Sequence, residues 1–175
     1  MTNKGKYYES QFEEATIELL REAHWQYTFG DDIHRKYTDP LIEEDLRNFL
    51  AVQYKDKNLT TSEMDSIVAN LRNTGGQNDY YALRNAFLLY RDGYDFAYSD
   101  GRDNPFRLEY IDFEHPDHNI FRCVNQFVME QGRENRRPDI LLFINGIPVC
   151  IIELKNPTKQ NATIRDAHTQ ICTRY

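Results

Sequence analysis

The segment from Arg136 to Lys155 constrains the fold of this chain more than any other part of the sequence. It contains two apolar runs, DILLFI and IPVCII, on either side of a single Asn-Gly pair. Asn-Gly between two apolar runs is the strongest short-range signal for a β-hairpin. The hairpin nevertheless has ionisable ends, with Asp139 at its start and Glu153 and Lys155 at its finish. Because burying an unpaired charge is costly, this placement indicates groups with a chemical role.

The geometry of the turn decides whether these three side chains meet. Side chains alternate across a strand, so Glu153 and Lys155 share one face. A two-residue loop would place Asp139 opposite Ile152, on the other face. A three-residue loop, closed by a left-handed glycine with a bulge, would place Asp139 opposite Ile151 and diagonal to Glu153. A functional site therefore predicts the bulged three-residue turn, whereas a purely structural hairpin has no preference.

The chemistry of this residue set suits a metal-dependent hydrolase. Two neighbouring carboxylates repel each other unless a cation lies between them. Carboxylate oxygens with a backbone carbonyl favour Mg²⁺ or Mn²⁺, with waters completing the shell. A lysine beside such a centre orients the attacking water and stabilises developing negative charge. The set is suited to phosphodiester hydrolysis; a structural ion pair at a sheet edge is the alternative.

The hairpin also resembles a known family. Pro138-Asp139 followed by Glu153-Leu154-Lys155 matches the PD-(D/E)xK nuclease motif, and the longer segment RRPDILLFINGIPVCIIELKNP resembles the N-terminal nuclease domain of type I restriction enzyme R (HsdR) subunits. The resemblance covers most of the chain and is strongest over residues 121–175. It extends to Asn125-Gln126-Phe127, to the segment LLYRDG at 88–93 and to Phe12-Glu13.

The resemblance implies a role for each residue of the motif. Asp139 and Glu153 would be metal ligands, and the backbone carbonyl of Leu154 would be a third ligand. Lys155 would position or activate the attacking water.

Further positions follow from the same resemblance. Gln170 matches a glutamine on the helix after the hairpin, and Tyr175 occupies the region of a following tyrosine that would contact DNA. An acidic residue of the first helix completes such sites, and Glu13 is preferred over Glu9 and Glu14.

The charge distribution permits a polyanionic substrate in spite of a net charge of −7. Residues 133–175 carry seven Lys or Arg against four Asp or Glu, whereas the preceding 132 residues carry fourteen against twenty-four. Arg136 and Arg137 are candidates for salt-sensitive contacts to DNA phosphates, or are solvated loop charges.

The function implied by the resemblance is that of a Mg²⁺-dependent DNA endonuclease, with Mn²⁺ as a substitute. Its partners would be double-stranded DNA and the methyltransferase (M) and specificity (S) subunits of a restriction complex. ATP would be used only by a translocase in the full-length protein, because this sequence contains no Walker A motif. The alternatives are a non-catalytic module that docks DNA or a subunit, and a RecB-like repair nuclease.

The remaining patterns predict an α+β fold. We expect a single endonuclease domain over residues 1–175, the N-terminal piece of a longer chain, with a mainly helical part at 1–93 and the sheet and hairpin at 94–175. Helices are predicted over 7–24, 40–54, 61–71, 79–91 and from 161 or 162 onward; strands are predicted over 94–98, 106–111 and 120–129. The resemblance implies that the central sheet is mixed and restriction-endonuclease-like, flanked by helices.

Other features of the sequence are less informative. No apolar run approaches the roughly 18 residues that span a membrane, there is no signal-peptide pattern, and the three cysteines are too widely spaced for a disulfide framework. These observations favour a cytoplasmic protein. His115-Pro116-Asp117-His118 offers two histidines in one turn, and we interpret it as a loop because the turn holds no further ligands.

Overall fold

The computed structural model describes residues 9–74, 79–131, 134–155 and 164–174. The helices and strands within these ranges are numbered in chain order: α1 Glu9–Glu22, β1 Gln26–Phe29, α2 Glu43–Gln53, α3 Thr61–Arg72, α4 Asp79–Asp92, β2 Tyr94–Phe96, β3 Phe106–Leu108, β4 Phe121–Asn125, β5 Met129–Gln131, β6 Glu134–Arg136, β7 Ile140–Ile144, β8 Ile147–Ile152 and α5 Ile164–Arg174. This content confirms the predicted α+β class. None of the described helices is long and apolar enough to cross a membrane.

The chain divides into two compact units. Residues 1–41 and 121–175 form the first, which we call the sheet unit, and residues 42–120 form the second, which we call the insert unit. The sheet unit contains both ends of the predicted hairpin and the first helix. Every site residue predicted from the sequence therefore belongs to the sheet unit.

A mixed four-stranded sheet is the centre of the sheet unit. Its strand order is β1-β4-β7-β8. Strand β1 pairs with β4 in parallel, whereas the β4–β7 and β7–β8 pairs are antiparallel. Strands β5 and β6 form a separate two-stranded ladder. The predicted mixed sheet is thus confirmed, although β1 was not predicted and the strand expected over 120–129 is broken by Gln126, whose φ is +56°.

Helix α1 packs on one face of this sheet. Its Ile17 forms a buried cluster with Cys123 of β4 and Ile140 of β7. The half-buried side chains around this cluster are Leu20, Trp25, Leu142, Ile152 and Leu154. Because side chains alternate along a strand, the residues between these positions project to the opposite face.

The insert unit has its own apolar core. Its fully buried side chains include Leu46, Leu50, Ile67, Val68, Leu108 and Tyr110. The buried Tyr110 hydroxyl donates a hydrogen bond to the carbonyl of Ile67 at 2.8 Å, so it enters the core with its polar atom satisfied.

Local capping signals account for two of the described helix ends. Thr60 and Glu63 form a capping box at the start of α3. Gly93, at φ +62°, ends α4 and donates its N–H to the carbonyl of Leu89 at 2.9 Å. The predicted start of α2 was wrong, because the Asp39 carboxylate accepts a hydrogen bond from the N–H of Leu41 and the helix begins only at Glu43.

Glu63 is expected to make the stability of the insert unit depend on pH. The guanidinium of Arg102 contacts both oxygens of this nearly buried carboxylate, at 2.9 and 2.7 Å. This contact, together with the backbone N–H of Thr60, lowers the pKa of Glu63 to about 2 from 4.5. Since the folded pKa is depressed, the contribution is complete above pH 4.5 and is lost as the pH falls towards 2.

Glu63→Gln should therefore lower the thermal midpoint at pH 7, and the difference from the wild type should shrink between pH 4.5 and 2. Glutamine can still form the capping box, so the variant isolates the charge. Asp56→Asn, at an exposed pair with Lys57, is the matched control and should change little. An identical pH dependence for wild type and Glu63→Gln would contradict the prediction.

Candidate active site

The turn of the β7–β8 hairpin differs from the three-residue form predicted from the sequence. Ile144 pairs directly with Ile147, so the loop has two residues, Asn145 and Gly146, at φ +51° and +75°. Positive φ at both positions is the type I′ geometry that Asn-Gly favours. The predicted bulged turn was therefore wrong.

A bulge elsewhere in the hairpin produces the required register. Phe143 pairs with Pro148, but Leu142 pairs with Cys150, which leaves Val149 as an extra residue in β8. Beyond this bulge the pairs continue as Leu141 with Ile151 and Ile140 with Ile152. One further step in this register places Asp139 opposite Glu153, on the face that does not pack against α1.

Hydrogen bonds fix Asp139 beside the end of β8. Its Oδ2 atom accepts a hydrogen bond from the N–H of Leu154 at 2.7 Å. Its carbonyl oxygen accepts one from the N–H of Gln126 at 3.2 Å, which extends the β4–β7 ladder by one residue. The carboxylate is thus oriented by the segment that carries Glu153 and Lys155.

Glu153 and Lys155 form a pair with very different exposure. The side chain of Glu153 is 1% exposed, and that of Lys155 is 27% exposed. Lys155 Nζ lies 4.0 Å from Glu153 Oε2. A carboxylate so far removed from water requires cationic neighbours, and the ammonium group supplies part of that charge.

The donor set fits a hard divalent cation. Directly opposed residues of an antiparallel pair have Cβ atoms about 5 Å apart, a separation at which two carboxylates can share an ion. Both side chains offer only oxygen, the donor that Mg²⁺ and Mn²⁺ prefer. The residues Asp139 and Glu153 therefore suit the metal that the sequence resemblance implies.

Glu13 lies at the same end of the sheet. Its Oε1 atom accepts hydrogen bonds from Asn125 Nδ2 at 2.8 Å and from Gln126 Nε2 at 3.3 Å. Since the N–H of Gln126 also bonds to Asp139, one residue links α1 to the first residue of the candidate pair. Glu13 is thereby connected to the site through Gln126.

Asn125 and Gln126 were not predicted as site residues. Two consecutive amides at the end of β4 are the signal that could have identified them. Asn125 also accepts a hydrogen bond from the hydroxyl of Tyr27 at 3.0 Å. Burial, and next the charge of Glu13, raise the pKa of Tyr27, so this hydroxyl stays protonated as a donor.

The backbone of Gly30 lies close to the backbone of Asn125 and Gln126, the two amides that contact Glu13. A Cβ atom at Gly30 would lie 2.5 Å from the carbonyl oxygen of Gln126 and 3.0 Å from that of Asn125. Only glycine leaves room for the backbone at this contact.

An open groove of about 820 Å³ runs along the same hairpin. Leu141 and Ile151, the pair next to the candidate carboxylates on their face, line it together with Val149 at the bulge. Arg136 and Ile171 of α5 also line it. The groove therefore adjoins the position that a substrate of the carboxylate pair would occupy.

For the other predicted site residues that lie within the described ranges, the structure gives a position in the fold. Arg136 is half-buried in β6 and Arg137 is exposed before β7. Gln170 lies in α5, next to the groove-lining Ile171. Tyr175 lies outside the described residues, so its predicted contact to DNA stays a prediction.

Comparison with known proteins places the chain in a family. The model for the N terminus of the type I restriction enzyme R protein (HSDR_N) matches residues 6–175. The match covers both the sheet unit and the insert unit. No solved structure is significantly similar to the chain.

Similar proteins are much longer than this chain. The type I restriction enzyme HindI endonuclease subunit of Haemophilus influenzae is 29% identical over 175 residues, covering 94% of this chain. A protein of Methanocaldococcus jannaschii, provisionally named the type I restriction enzyme MjaIXP endonuclease subunit, is 30% identical over 163 residues and covers 89% of the chain. The chain spans 16% of the length of each relative.

Proposed function

The chain belongs to the family of type I restriction enzyme R protein N termini, and on that premise we propose that it is a Mg²⁺-dependent DNA endonuclease domain. The reaction is hydrolysis of a DNA phosphodiester with little base specificity of its own. The names of the similar proteins, which are endonuclease subunits, agree with this proposal.

The observation that carries the proposal is the register of the hairpin. A plain two-residue turn without a bulge would send Asp139 and Glu153 to opposite faces. With the extra residue in β8, continuing the register of β7 and β8 by one step puts both acids on one face of the hairpin, and Lys155 lies 4.0 Å from Glu153. A hairpin with a merely structural role has no need of this arrangement.

The two acids share one task in the proposed reaction. Asp139 and Glu153 would hold Mg²⁺, together with the backbone carbonyl of Leu154. When bound, the ion supplies positive charge that polarises the scissile phosphate and stabilises the transition state. The hydrogen bond from Leu154 N–H keeps the Asp139 carboxylate oriented before the ion arrives.

Lys155 acts on the attacking water. Its ammonium group is held near Glu153 but remains partly exposed, so it can reach a water and a phosphate oxygen. The water oxygen forms a bond to phosphorus in line with the departing 3′ oxygen, whose bond to phosphorus breaks. The water loses its proton and the 3′ oxygen gains one, leaving a 5′ phosphate and a 3′ hydroxyl.

The substrate surface is formed by the groove and the basic residues near it. Arg136 lines the groove, and the exposed Arg137 follows it in the chain. These cations would neutralise DNA phosphates without reading sequence. Target recognition would belong to the S subunit, methylation to the M subunit, and ATP-driven translocation to other parts of the full-length protein.

A manganese soak is the direct test of the proposed metal site. Crystals of the chain soaked in Mn²⁺ should show an anomalous peak between the carboxylates of Asp139 and Glu153, because Mn²⁺ substitutes for Mg²⁺ at oxygen sites. The peak should disappear in Asp139→Asn, which removes the charge but keeps an oxygen to accept the Leu154 N–H bond.

Glu14→Gln is the matched control, since Glu14 is an exposed acid of α1 beside Glu13. Its crystals should retain the peak. Absence of density in the wild type at high Mn²⁺ concentration would contradict the nuclease and favour a module that only docks DNA or a subunit.

A further inference from the structure

A loop of the insert unit brings together three side chains that can bind a metal. Among the described residues, Asp112, His115 and His118 place one ligand atom each within 4.8 Å of one another. The short 3₁₀ turn Pro116–His118 brings the two imidazoles to one side, where their rings stack with centroids 4.9 Å apart at 16°. The sequence pattern alone offered His115 and His118 as possible ligands, and the folded loop adds Asp112.

Both imidazoles face the same carboxylate oxygen. His118 Nδ1 lies 3.1 Å from Asp112 Oδ2, and His115 Nδ1 lies 3.7 Å from it. Ligand atoms bound to Zn²⁺ at 2.0–2.1 Å in tetrahedral geometry are about 3.3 Å apart. The two distances to Asp112 Oδ2 bracket this value, and all three ligand atoms lie within 4.8 Å of one another.

Hydrogen bonds from neighbouring residues hold the Asp112 carboxylate in position. Asp112 is 4% exposed. Its Oδ1 atom accepts hydrogen bonds from the N–H groups of Glu114 and His115, at 3.0 and 2.8 Å, and its Oδ2 atom accepts one from Gln53 Nε2 at 3.1 Å.

The end of the loop is fixed as well. Asn119 Oδ1 accepts the N–H of Asp112 at 2.9 Å, and Asn119 Nδ2 donates to the carbonyl of Asp112 at 2.7 Å. The same amide donates to the carbonyl of Pro116 at 3.0 Å. The loop therefore presents its ligands in an arrangement that precedes metal binding, as supporting hydrogen bonds do in metal sites.

We propose that Asp112, His115 and His118 bind Zn²⁺ or a similar transition ion such as Co²⁺ or Ni²⁺. Two imidazole nitrogens and one carboxylate select this class of ion over Mg²⁺, which requires oxygen ligands. The ion replaces the hydrogen bond between His118 and Asp112. Since both histidines are more than half exposed, water occupies the fourth position.

This site is independent of the proposed nuclease centre. It belongs to residues 42–120, whereas the candidate nuclease residues belong to the sheet unit. The ion ties Asp112 to the turn that follows it, and it therefore stabilises the insert unit by binding the folded form.

A second pair of side chains also offers ligands to Zn²⁺, so one of them is replaced before the site is tested. His168 and Cys172 lie four residues apart on α5, with Cys172 Sγ 3.6 Å from His168 Nε2, and the thiol is exposed. A thiol beside an imidazole also takes up Zn²⁺. All measurements are therefore made on untagged chain carrying Cys172→Ser.

The experiment is a calorimetric titration with Zn²⁺. In excess Mg²⁺, which competes for the proposed nuclease centre, the Cys172→Ser chain should bind one Zn²⁺ ion, and adding His118→Ala or His115→Ala should weaken binding at least about tenfold. His34→Ala, which removes an exposed histidine of the sheet unit, is the matched control and should leave binding unchanged. The thermal midpoint should rise with Zn²⁺ in the control and not in His118→Ala.

His118→Ala also removes the hydrogen bond to Asp112, so the change in the midpoint on adding Zn²⁺ is compared with each variant's own midpoint without metal. Equal Zn²⁺ affinity in the Cys172→Ser chain and in both histidine variants would overturn the proposal. Absence of binding in the Cys172→Ser chain would also overturn it.

Discussion

Replacing either Asp139 or Lys155 by alanine is expected to abolish DNA cleavage, with a loss of at least about 10³-fold in rate. Asp139→Ala removes one of the two proposed metal ligands, and Lys155→Ala removes the ammonium group that lies 4.0 Å from the other, Glu153. The measurement is the rate of plasmid cleavage by the complete restriction complex, with ATP hydrolysis followed in parallel. ATP hydrolysis should continue, because the replaced side chains belong to the proposed nuclease centre and this sequence contains no Walker A motif.

Controls separate chemistry from folding in this experiment. Asp139→Asn keeps an acceptor for the N–H of Leu154 and should be equally inactive while unfolding like the wild type. Glu14→Ala changes an exposed acid of α1 and should cleave normally. If Asp139→Ala and Lys155→Ala both cleaved at the wild-type rate, the assignment of the site would be wrong.

Gly30→Ala is expected to destabilise the sheet unit by about 3 kcal/mol, since overpacking against an immobile neighbour costs roughly 1–3 kcal/mol or more. The added methyl group would lie 2.5 Å from the carbonyl oxygen of Gln126, and backbone cannot rotate away as a side chain can. Urea unfolding measures the loss. Exchange of the Gln126 amide, which bonds to Asp139, should accelerate as the two segments separate.

Gly101→Ala provides the comparison for this substitution. Gly101 has φ +65° and no neighbour within 4 Å of an added Cβ, so only backbone strain opposes the change. Its expected cost is about 1 kcal/mol, without a change at Gln126. Equal costs for the two variants would show that the contact with Gln126 does not carry the effect.

The hairpin shows how far local sequence determines such a site. The position of the turn was predictable because Asn-Gly favours one geometry at both of its residues. The location of the bulge was not, since that depends on where β8 best accommodates an extra residue. Strand β8 is the last strand in the described sheet, Val149 is exposed, and Pro148 has no N–H to give to a ladder, so disruption costs least there.

Other differences have long-range causes. Strand β1 has only four residues, and although Tyr27, Thr28 and Phe29 favour strands, so short a run is a weak signal. Its conformation depends on pairing with β4. Glu13 was chosen by resemblance alone, whereas its contacts with Asn125 and Gln126 join residues more than a hundred positions apart. Contacts of that range depend on the assembled sheet.

The bulge at Val149 determines how many residues must separate the two acids of this hairpin. In a hairpin with a two-residue turn and no bulge, opposed residues are separated by an even number of intervening residues. Asp139 and Glu153 are separated by thirteen, and the odd residue is Val149. A related chain with twelve intervening residues would bring the same acids together in a regular ladder. An odd or even spacing between the two acids therefore distinguishes a bulged hairpin from a regular one, and a motif search that demands one fixed spacing will overlook chains with the same pair of carboxylates.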